Sequence, residues 1–307
     1  MHFGVHAGLQ NTSTSELQAL WRRIEDHGFE WISVWDHFYA ADTTVRGDGP
    51  LRSGYHCLEA LTTHTALALS TERVLCGSLV YCAGYRHPAV YANAMATLDQ
   101  LSGGRTVLGI GAGWHQGEYD AYGIPFPSIG ARMRILEESV QCVRLLLDEE
   151  VADFTGEHFR LTDAHCEPKP VQAKLPIWVG GGGEKTTLRI TAQHADGWNL
   201  AFVTPEVFRH KNTVLDRHCD TVGRDGTEIV RTVNLALAWR EEDLVTQFGT
   251  AAGYIASTAL KGSTQEVVNR LGEYRDAGAE WAIIALRAPF DTEGLDRFAE
   301  EVMPALR

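Results

Sequence analysis

Short apolar segments typical of β-strands alternate with helical segments from one end of this chain to the other. Eight strands are predicted, over residues 3–6, 31–35, 74–81, 106–110, 177–179, 197–200, 229–239 and 281–286. They are apolar on both faces, as the strands of a parallel sheet covered by helices must be. Eight successive β–α units favour an α/β fold of the (β/α)8 TIM-barrel type. An open, doubly wound sheet is the alternative, because strand order cannot be read from sequence.

Helix start and stop signals separate the predicted strands. The clearest is the capping box of residues 13–16, which opens a helix over 17–27 that ends at Gly28. Further helices are predicted over residues 57–70, 88–101, 132–147, 184–194, 205–222, 264–277 and 295–306. Two insertions are expected, a polar loop after strand 2 and, after strand 4, an irregular segment over 118–127 with a hairpin over 154–161. No linker composition divides the chain, so we expect a single domain over 1–307.

The charge balance limits the partners of the protein. The sequence has 27 Lys and Arg against 40 Asp and Glu, a formal net charge of −13. That charge repels nucleic acid and anionic membrane surfaces at long range, so we expect neither as a partner. An anionic ligand would have to be held by local backbone N–H groups and a few placed cations.

The N-terminus lacks the basic start and apolar run of a signal peptide, and no later segment is apolar for long enough to span a bilayer. We therefore expect a cytoplasmic protein. No Cys-x-x-Cys spacing occurs, which favours reduced thiols packed in the core. The six cysteines are Cys57, Cys76, Cys82, Cys142, Cys166 and Cys219.

In a (β/α)8 barrel the active site forms at the carboxyl ends of the strands, so the residues that follow each strand are the candidates. Asp36 and His37 follow strand 2. A histidine there titrates near neutral pH and suits proton transfer, although a structural histidine is the alternative. Gly77 precedes Ser78 and Leu79 in strand 3 and indicates either a bulge beside a ligand or ordinary barrel curvature.

The most specific signal is the run Gly180, Gly181, Gly182 and Gly183, which follows strand 5 and leads toward a helix. Successive N–H groups at a helix N-terminus bind an anion such as phosphate without many cations. Residues 109–113, Gly-Ile-Gly-Ala-Gly, lack the spacing and the following helix of a dinucleotide-binding fingerprint.

The sequence lacks the motifs of other common enzyme chemistries. The sequence has no His-Glu-x-x-His, no paired Cys/His cluster and no calcium loop, so no metal is expected. His2 and His6 share a strand face but are expected at the wrong end of the barrel for a site. Nucleophile-elbow and Walker motifs are also absent. Binding of a redox cofactor remains as the interpretation.

Nearly the whole chain resembles the bacterial luciferase-like superfamily, in particular its oxidoreductases that depend on the deazaflavin coenzyme F420. The resemblance lies in ordered motifs that together cover about 200 residues: WISVWDH (31–37), YRHPAV (85–90), ATLDQLSGGRTVLGIGAGW (96–114), PIWVGGGGE (176–184), ADGWN (195–199) and RHCDTVGR (217–224).

The resemblance implies roles for residues at matching positions. His37 would be the acid/base beside the hydride-carrying carbon, and Asp36 would lie against the polar edge of the cofactor ring. Ser78 and Leu79 would form the family's bulge against one ring face, often with a cis peptide bond. The implied tail contacts are Gly111, Ala112 and Gly117, and the implied phosphate contacts are Gly180, Gly181, Gly182 and Gly183.

One position departs from the members that act on a sugar phosphate. Those members carry an acid directly after the glycine motif, where this chain has Trp114. Sugar-phosphate oxidation is therefore not expected. Glu118 is the nearest acid and is expected to brace the loop rather than to react. Substrate choice is expected to depend on residues 40–55 and 118–127.

The resulting hypothesis is hydride transfer between coenzyme F420 and a small organic substrate, such as a carbonyl, an alcohol or an activated alkene. A monooxygenase that uses reduced FMN and oxygen is the first alternative. A barrel that binds flavin without catalysis is the second. The resemblance and the apolar helices also imply a homodimer.

Overall fold

The computed structural model describes residues 1–39 and 56–307. Its strands are β1 His2–Ala7, β2 Trp31–Val34, β3 Leu75–Ser78, β4 Tyr81–Cys82, β5 Thr106–Gly111, β6 Ala152–Thr155, β7 Arg160–Ala164, β8 Ile177–Gly180, β9 Gly197–Ala201, β10 Val230–Ala236 and β11 Trp281–Leu286. Parallel pairing runs around the ring β1, β2, β3, β5, β8, β9, β10, β11 and back to β1. This closed ring of eight strands confirms the (β/α)8 barrel and excludes the open sheet.

Helices separate the barrel strands along the chain. They are α1 Thr14–Asp26, α2 Ala60–Ser70, α3 Pro88–Ser102, α4 Gln116–Tyr122, α5 Ile129–Asp148, α6 Thr187–His194, α7 Pro205–Val222, α8 Glu241–Phe248, α9 Ala252–Ile255, α10 Thr264–Asp276 and α11 Thr292–Arg297. The predicted capping box is present, since Ser13 accepts from the Glu16 amide and Glu16 accepts from the Ser13 amide. No helix among residues 1–39 and 56–307 combines the length and apolar character needed to cross a bilayer.

Several predicted elements differ from the structure. The segment 118–127 was expected to be irregular, but α4 begins at Gln116 because the His115 side chain accepts from the Glu118 amide and caps it. The predicted strand over 229–239 is too long: β10 ends at Ala236, and an insertion with α8 and α9 follows it. The last helix is short, since α11 ends at Arg297 and continues as π- and 3-10-helical turns. The polar loop predicted after strand 2 lies outside the described residues.

The third barrel strand is interrupted at the mouth of the barrel. β3 ends at Ser78, the Leu79–Val80 peptide bond is cis, and the chain resumes as β4. The cis bond therefore lies one residue later than the Ser78–Leu79 position that the family resemblance implied. Ser78 is fully buried, and its hydroxyl donates to the Gly109 carbonyl at 2.8 Å. Its role is to tie β3 to β5.

Tryptophans fill the interior of the barrel below the mouth. Trp31 and Trp178 stack with ring centroids 4.4 Å apart, and Trp281 packs edge-on against Trp178. A Cβ atom on Gly77 would lie 2.1 Å from the Trp31 ring. Gly77 is thus required because the Trp31 ring packs against it. The sequence had suggested two other reasons, a bulge beside a ligand or the curvature of the barrel.

Candidate active site

A cavity of 830 Å³ opens at the carboxyl ends of the barrel strands. Its size lies within the range of about 300–1,000 Å³ typical of small-molecule sites. Eight of the predicted site residues line it: Asp36, His37, Leu79, Gly111, Ala112, Gly180, Gly181 and Gly183. The other three, Ser78, Gly117 and Gly182, do not reach its wall.

The central feature of the wall is a pair formed by His37 and Glu118. The Nδ1 atom of His37 lies 2.8 Å from Oε2 of Glu118, whose carboxylate is completely buried. The same carboxylate accepts from the backbone amides of Phe38 and Tyr39 and from the Tyr85 hydroxyl. Glu118 therefore braces the loop, as expected from the sequence, and in addition holds the imidazole of His37.

The ionisation of Glu118 determines which nitrogen of His37 carries a proton. Burial of Glu118 favours its neutral form, but the hydrogen bonds from His37 and from the amides of residues 38 and 39 outweigh burial and lower the pKa of the carboxyl. A carboxylate only accepts hydrogen bonds, so Nδ1 of His37 carries a proton. The second nitrogen, Nε2, then remains to accept or donate a proton on the cavity side.

Aromatic rings surround His37. Trp35 and Trp114 meet the imidazole edge-on, with ring centroids 5.5 Å and 5.7 Å away, and His115 lies 6.0 Å away. Trp35 is buried, whereas Trp114 is 66% exposed at the mouth of the cavity. These rings limit the orientations of His37 and exclude water from two of its sides.

Asp36 also lies on the wall, but both of its carboxylate oxygens already have protein partners. Arg86 donates to them at 2.7 Å and 3.1 Å, and the Cys82 amide donates at 2.9 Å. The Tyr91 hydroxyl also donates to the carboxylate at 3.5 Å, so four bonds take up about as many acceptor positions as a carboxylate has. A contact between Asp36 and the edge of a cofactor ring stays a prediction.

Leu79 and Val80 form an apolar shelf on one side of the cavity. The side chain of Val80 lies between Gly111 and Gly180, and a Cβ atom on either glycine would come within 2.8 Å of it. Both glycines are therefore needed to make room for Val80. Sequence reasoning had assigned them to ligand contacts only.

The glycine run after β8 differs in one respect from its prediction. It does not lead directly into a helix, because a turn over 184–186 precedes α6, which begins at Thr187. Gly181 has φ +124°, a conformation that other residues rarely adopt. No described residue accepts a hydrogen bond from the amide of Gly183, which lines the cavity. That amide is a donor for a ligand.

Comparison with known proteins places the chain in a family. A family model described as luciferase-like monooxygenase matches residues 1–254. The chain belongs to the luciferase-like monooxygenase family. Among its relatives is an uncharacterised protein of Mycobacterium tuberculosis, 31% identical over 206 residues, with 64% of this chain and 71% of that protein covered. Another is named F420-dependent glucose-6-phosphate dehydrogenase, from Kineococcus radiotolerans, 30% identical over 246 residues, with 79% and 69% covered.

Solved structures of luciferase-like barrels share the complete fold. One is an F420-dependent secondary alcohol dehydrogenase in complex with an F420–acetone adduct, with a TM-score of 0.87 and 19% identity, covering 100% of this chain and 99% of that one. Another is the coenzyme F420-dependent tetrahydromethanopterin reductase of Methanopyrus kandleri, with a TM-score of 0.82, 19% identity and the same coverage. At this identity the likeness shows the fold alone.

Sequence reasoning missed several wall residues of this luciferase-like barrel. They come from the side of β1, β9, β10 and β11, and are His6, Gln10, Asn199, Asn234 and Arg287. The placement of His6 at the wrong end of the barrel was incorrect. β1 runs from His2 to Ala7, so His6 is its penultimate residue and lies at the carboxyl end. The direction of β1 is enough to place His6 at the mouth, because the carboxyl ends of all the barrel strands lie there.

Proposed function

We propose that this protein is an F420-dependent oxidoreductase that transfers a hydride between the deazaflavin and a small organic substrate. The observation that carries the proposal is the imidazole of His37, fixed through Nδ1 by the buried carboxylate of Glu118 on the wall of the cavity. The names of its curated relatives support the class of cofactor.

The residues around the cavity fit a flat cofactor ring with a phosphate-bearing tail. Leu79 and Val80 offer an apolar surface for one ring face, while Gly181 and Gly183 line the wall without side chains. The available amide of Gly183 is the type of donor that binds phosphate. A deazaflavin held there supplies a hydride, that is, two electrons and a proton at one ring carbon.

His37 moves the proton that accompanies the hydride. With Nδ1–H donated to Glu118, the imidazolium form of His37 protonates the oxygen of a carbonyl substrate from Nε2–H and becomes neutral. In the reverse direction the neutral imidazole takes the proton of an alcohol on Nε2. Trp35 and Trp114 keep water from the imidazole, which strengthens its interaction with a substrate oxygen. The protein thus positions both reactants and supplies one proton.

The experiment that tests this function is a parallel titration of the purified protein with coenzyme F420 and with FMN. Tryptophan fluorescence reports binding, because Trp35 and Trp114 line the cavity. We expect selective, saturable quenching by F420, and oxidation or reduction of bound F420 when substrates are screened by its absorbance. Selective binding of FMN would overturn the proposal in favour of a monooxygenase, and binding of neither would remove the cofactor assignment.

The His37→Gln variant separates the protein's chemical role from cofactor binding. We expect it to bind F420 with an unchanged Kd and to lose about 100-fold or more in kcat, the usual contribution of a general acid or base. Full turnover in this variant would show that His37 does not carry the proton.

A further inference from the structure

A second histidine, His6, lines the cavity and has no part in the proton transfer described above. It is the penultimate residue of β1 and is 7% exposed. Its neighbours in the parallel sheet are Ser33 in β2 and Ala285 in β11, one on each side. All three strands end one residue further on, whereas His37 follows the end of β2. His6 therefore lies nearer to the interior of the barrel than His37.

The hydrogen bond that His6 makes decides which of its nitrogens carries a proton. Its Nδ1 atom lies 2.9 Å from the hydroxyl oxygen of Ser33. That hydroxyl is completely buried and has no other hydrogen-bond partner among the described residues. A buried hydroxyl proton needs an acceptor, and Nδ1 is the acceptor within reach. Ser33 therefore donates to Nδ1, so the single proton of the neutral imidazole is on Nε2.

The imidazole of His6 is neutral at physiological pH. Burial, and then the charges of Arg287 and His37, lower its pKa to about 3. A neutral ring with its proton on Nε2 donates one hydrogen bond there and does not exchange that proton near pH 7. His6 thus complements His37, whose Nδ1–H is donated to Glu118 and whose Nε2 atom transfers the proton.

The Nε2 atom of His6 is open to the cavity. It has no hydrogen-bond partner among residues 1–39 and 56–307, yet it is not one of the unpaired polar atoms that the protein buries completely. The Nε2 atom of His64 is such an atom, enclosed beside Tyr81. Because His6 lines the cavity, its exposed surface faces the space that a ligand would fill. An acceptor on the ligand would therefore complete the hydrogen bonding of His6.

The order of the strands separates His6 from the surfaces assigned to the cofactor. In the ring of eight strands, β1 is two places from β3, which leads into the shelf of Leu79 and Val80, and four places from β8. Strand β2, which leads to His37, lies between β1 and β3. His6 is therefore on the side of His37 that is turned away from the shelf, where a substrate rather than the cofactor ring is expected.

A small substrate can contact both histidines. The Trp35 ring meets each of them edge-on, with centroids 5.9 Å from the His6 ring and 5.5 Å from the His37 ring. Both histidines therefore border the same indole, and a molecule about as large as that ring reaches from one to the other.

We propose that the Nε2–H group of His6 donates a hydrogen bond to an uncharged oxygen of the substrate, a carbonyl or a hydroxyl group, and so determines how the substrate lies beside His37. A single N–H suits such an oxygen, whereas a carboxylate brings about four acceptor positions. The inference rests on the proposed oxidoreductase function, because it concerns the substrate of that same site. His6 binds the substrate, and His37 transfers the proton.

The first test locates the proton of His6 in the wild-type protein. Nitrogen-15 NMR of histidine-labelled protein distinguishes a ring nitrogen that carries a proton from one that does not, and the His6→Gln variant assigns the signals. We expect the proton on Nε2 at every pH from 6 to 8, with and without F420. A proton on Nδ1, or a charged ring in this range, would overturn the proposal.

The second test adds a pair of probes to the F420-loaded protein. Acetophenone has a carbonyl oxygen, and 2-phenylpropene has the same shape with a CH2 group in its place. We expect acetophenone to shift the Nε2–H signal of His6 and 2-phenylpropene to leave it unchanged. In His6→Leu, binding of acetophenone is expected to weaken about tenfold relative to 2-phenylpropene, since the donor is lost. His6→Gln supplies another N–H donor and is expected to retain part of the affinity.

The matched control is His2→Leu, which removes a histidine from the other end of the same strand, outside the cavity. It is expected to keep the wild-type ratio of the two affinities. An unchanged ratio in His6→Leu, an unshifted His6 signal, or binding of neither probe would each refute the contact. Since F420 binding is measured separately, a protein that binds F420 but gives one of these results loses only the role of His6 and keeps the proposed function.

Discussion

At the scale of single residues, Glu118 decides the chemical state of His37. The two residues are 81 positions apart, and the 2.8 Å contact between them fixes the proton on Nδ1. A neutral glutamine at position 118 would present its own N–H2 group or a weaker acceptor to the imidazole. The imidazole would then adopt the other tautomer in part of the molecules, with its proton on the nitrogen that must accept one.

Glu118→Gln is therefore expected to lower kcat about tenfold or more, corresponding to roughly 1.4 kcal/mol of transition-state stabilisation. The Kd for F420 and the KM for substrate are expected to stay close to the wild-type values. Because the charge that stabilises imidazolium is lost, the pH profile of kcat is also expected to shift. Steady-state kinetics from pH 5 to 9 check this. A variant that loses cofactor binding and thermal stability in proportion to kcat would indicate a structural role only.

At the scale of elements, the shelf depends on three segments that meet at Val80. The β3–β4 connection carries Val80, and β5 and β8 supply the glycines that flank it. A Cβ atom on Gly180 would lie 2.8 Å from a Val80 methyl group, which is too close for either atom to stay in place. The shelf rather than the barrel is the part free to move, since Gly180 is held in β8 by pairing with β9.

Gly180→Ala is thus expected to weaken F420 binding at least tenfold while the fold persists. The double variant Gly180→Ala with Val80→Ala removes the clash and is expected to recover most of the affinity. As a control, Gly272→Ala in α10 adds a Cβ atom that meets nothing within 4 Å. It is expected to preserve binding and to stabilise the helix by up to about 1 kcal/mol. Fluorescence titration and thermal unfolding measure these effects, and no recovery in the double variant would refute the clash.

At the scale of the whole molecule, two buried histidines couple stability to pH. Burial lowers the pKa of His6 to about 3 and that of His64 to about 4, from an ordinary value of 6.5. Below about pH 6 these two histidines bind protons in the unfolded chain but stay neutral in the folded protein. Stability therefore rises with pH, and it falls as the pH decreases from 6.5 toward the folded values.

Each of these histidines is expected to remove about 1.4 kcal/mol of unfolding free energy per pH unit in the acidic range. Urea unfolding at pH 7, 6 and 5 measures the slope, above the range in which most carboxylates titrate. His64→Leu is expected to reduce the slope by about 1.4 kcal/mol per unit, since it removes one group that titrates only in the unfolded chain. Parallel slopes for the wild type and this variant would contradict the assignment.

Association of two copies belongs to the same scale. The neighbouring helices α2 and α3 carry exposed apolar residues, Leu69 and Val90, and the only carboxylate within them, Asp99, is buried. For a chain of net charge −13, a face without charge is where two copies meet with least repulsion. We propose that this face forms a homodimer.

The dimer is expected to show a mass twice that of the 33.9 kDa chain in light scattering coupled to gel filtration. Val90→Asp is expected to convert it to the monomer by burying a charge at the interface. Val245→Asp in α8 is the control, because Val245 is similarly exposed on a different face. A wild-type monomer, or dissociation by the control variant, would exclude this face.

Much of the architecture follows from local sequence patterns. The eight apolar segments and the helices between them predict the barrel, because strand and helix periodicity are properties of neighbouring residues. Strand direction then places His37 and the glycine run at the mouth, where the structure has them. Short elements with weak patterns were missed. The α4 helix is capped by the His115 side chain, an unusual acceptor at a helix N-terminus, and α8 and α9 were not predicted between the last two strands.

The arrangement within the site was decided by the tertiary structure. Contacts such as His37 with Glu118, Val80 with Gly111 and Gly180, and Arg287 with Trp35 join segments that are far apart in the chain. No periodicity encodes such distances, because they depend on which strands become neighbours and on how the ring closes. The sequence alone thus determined the barrel and the end that carries the site. The closed barrel determined which distant residues come into contact in the site. The physical reason is closure itself, which brings the first and last strands, β1 and β11, together.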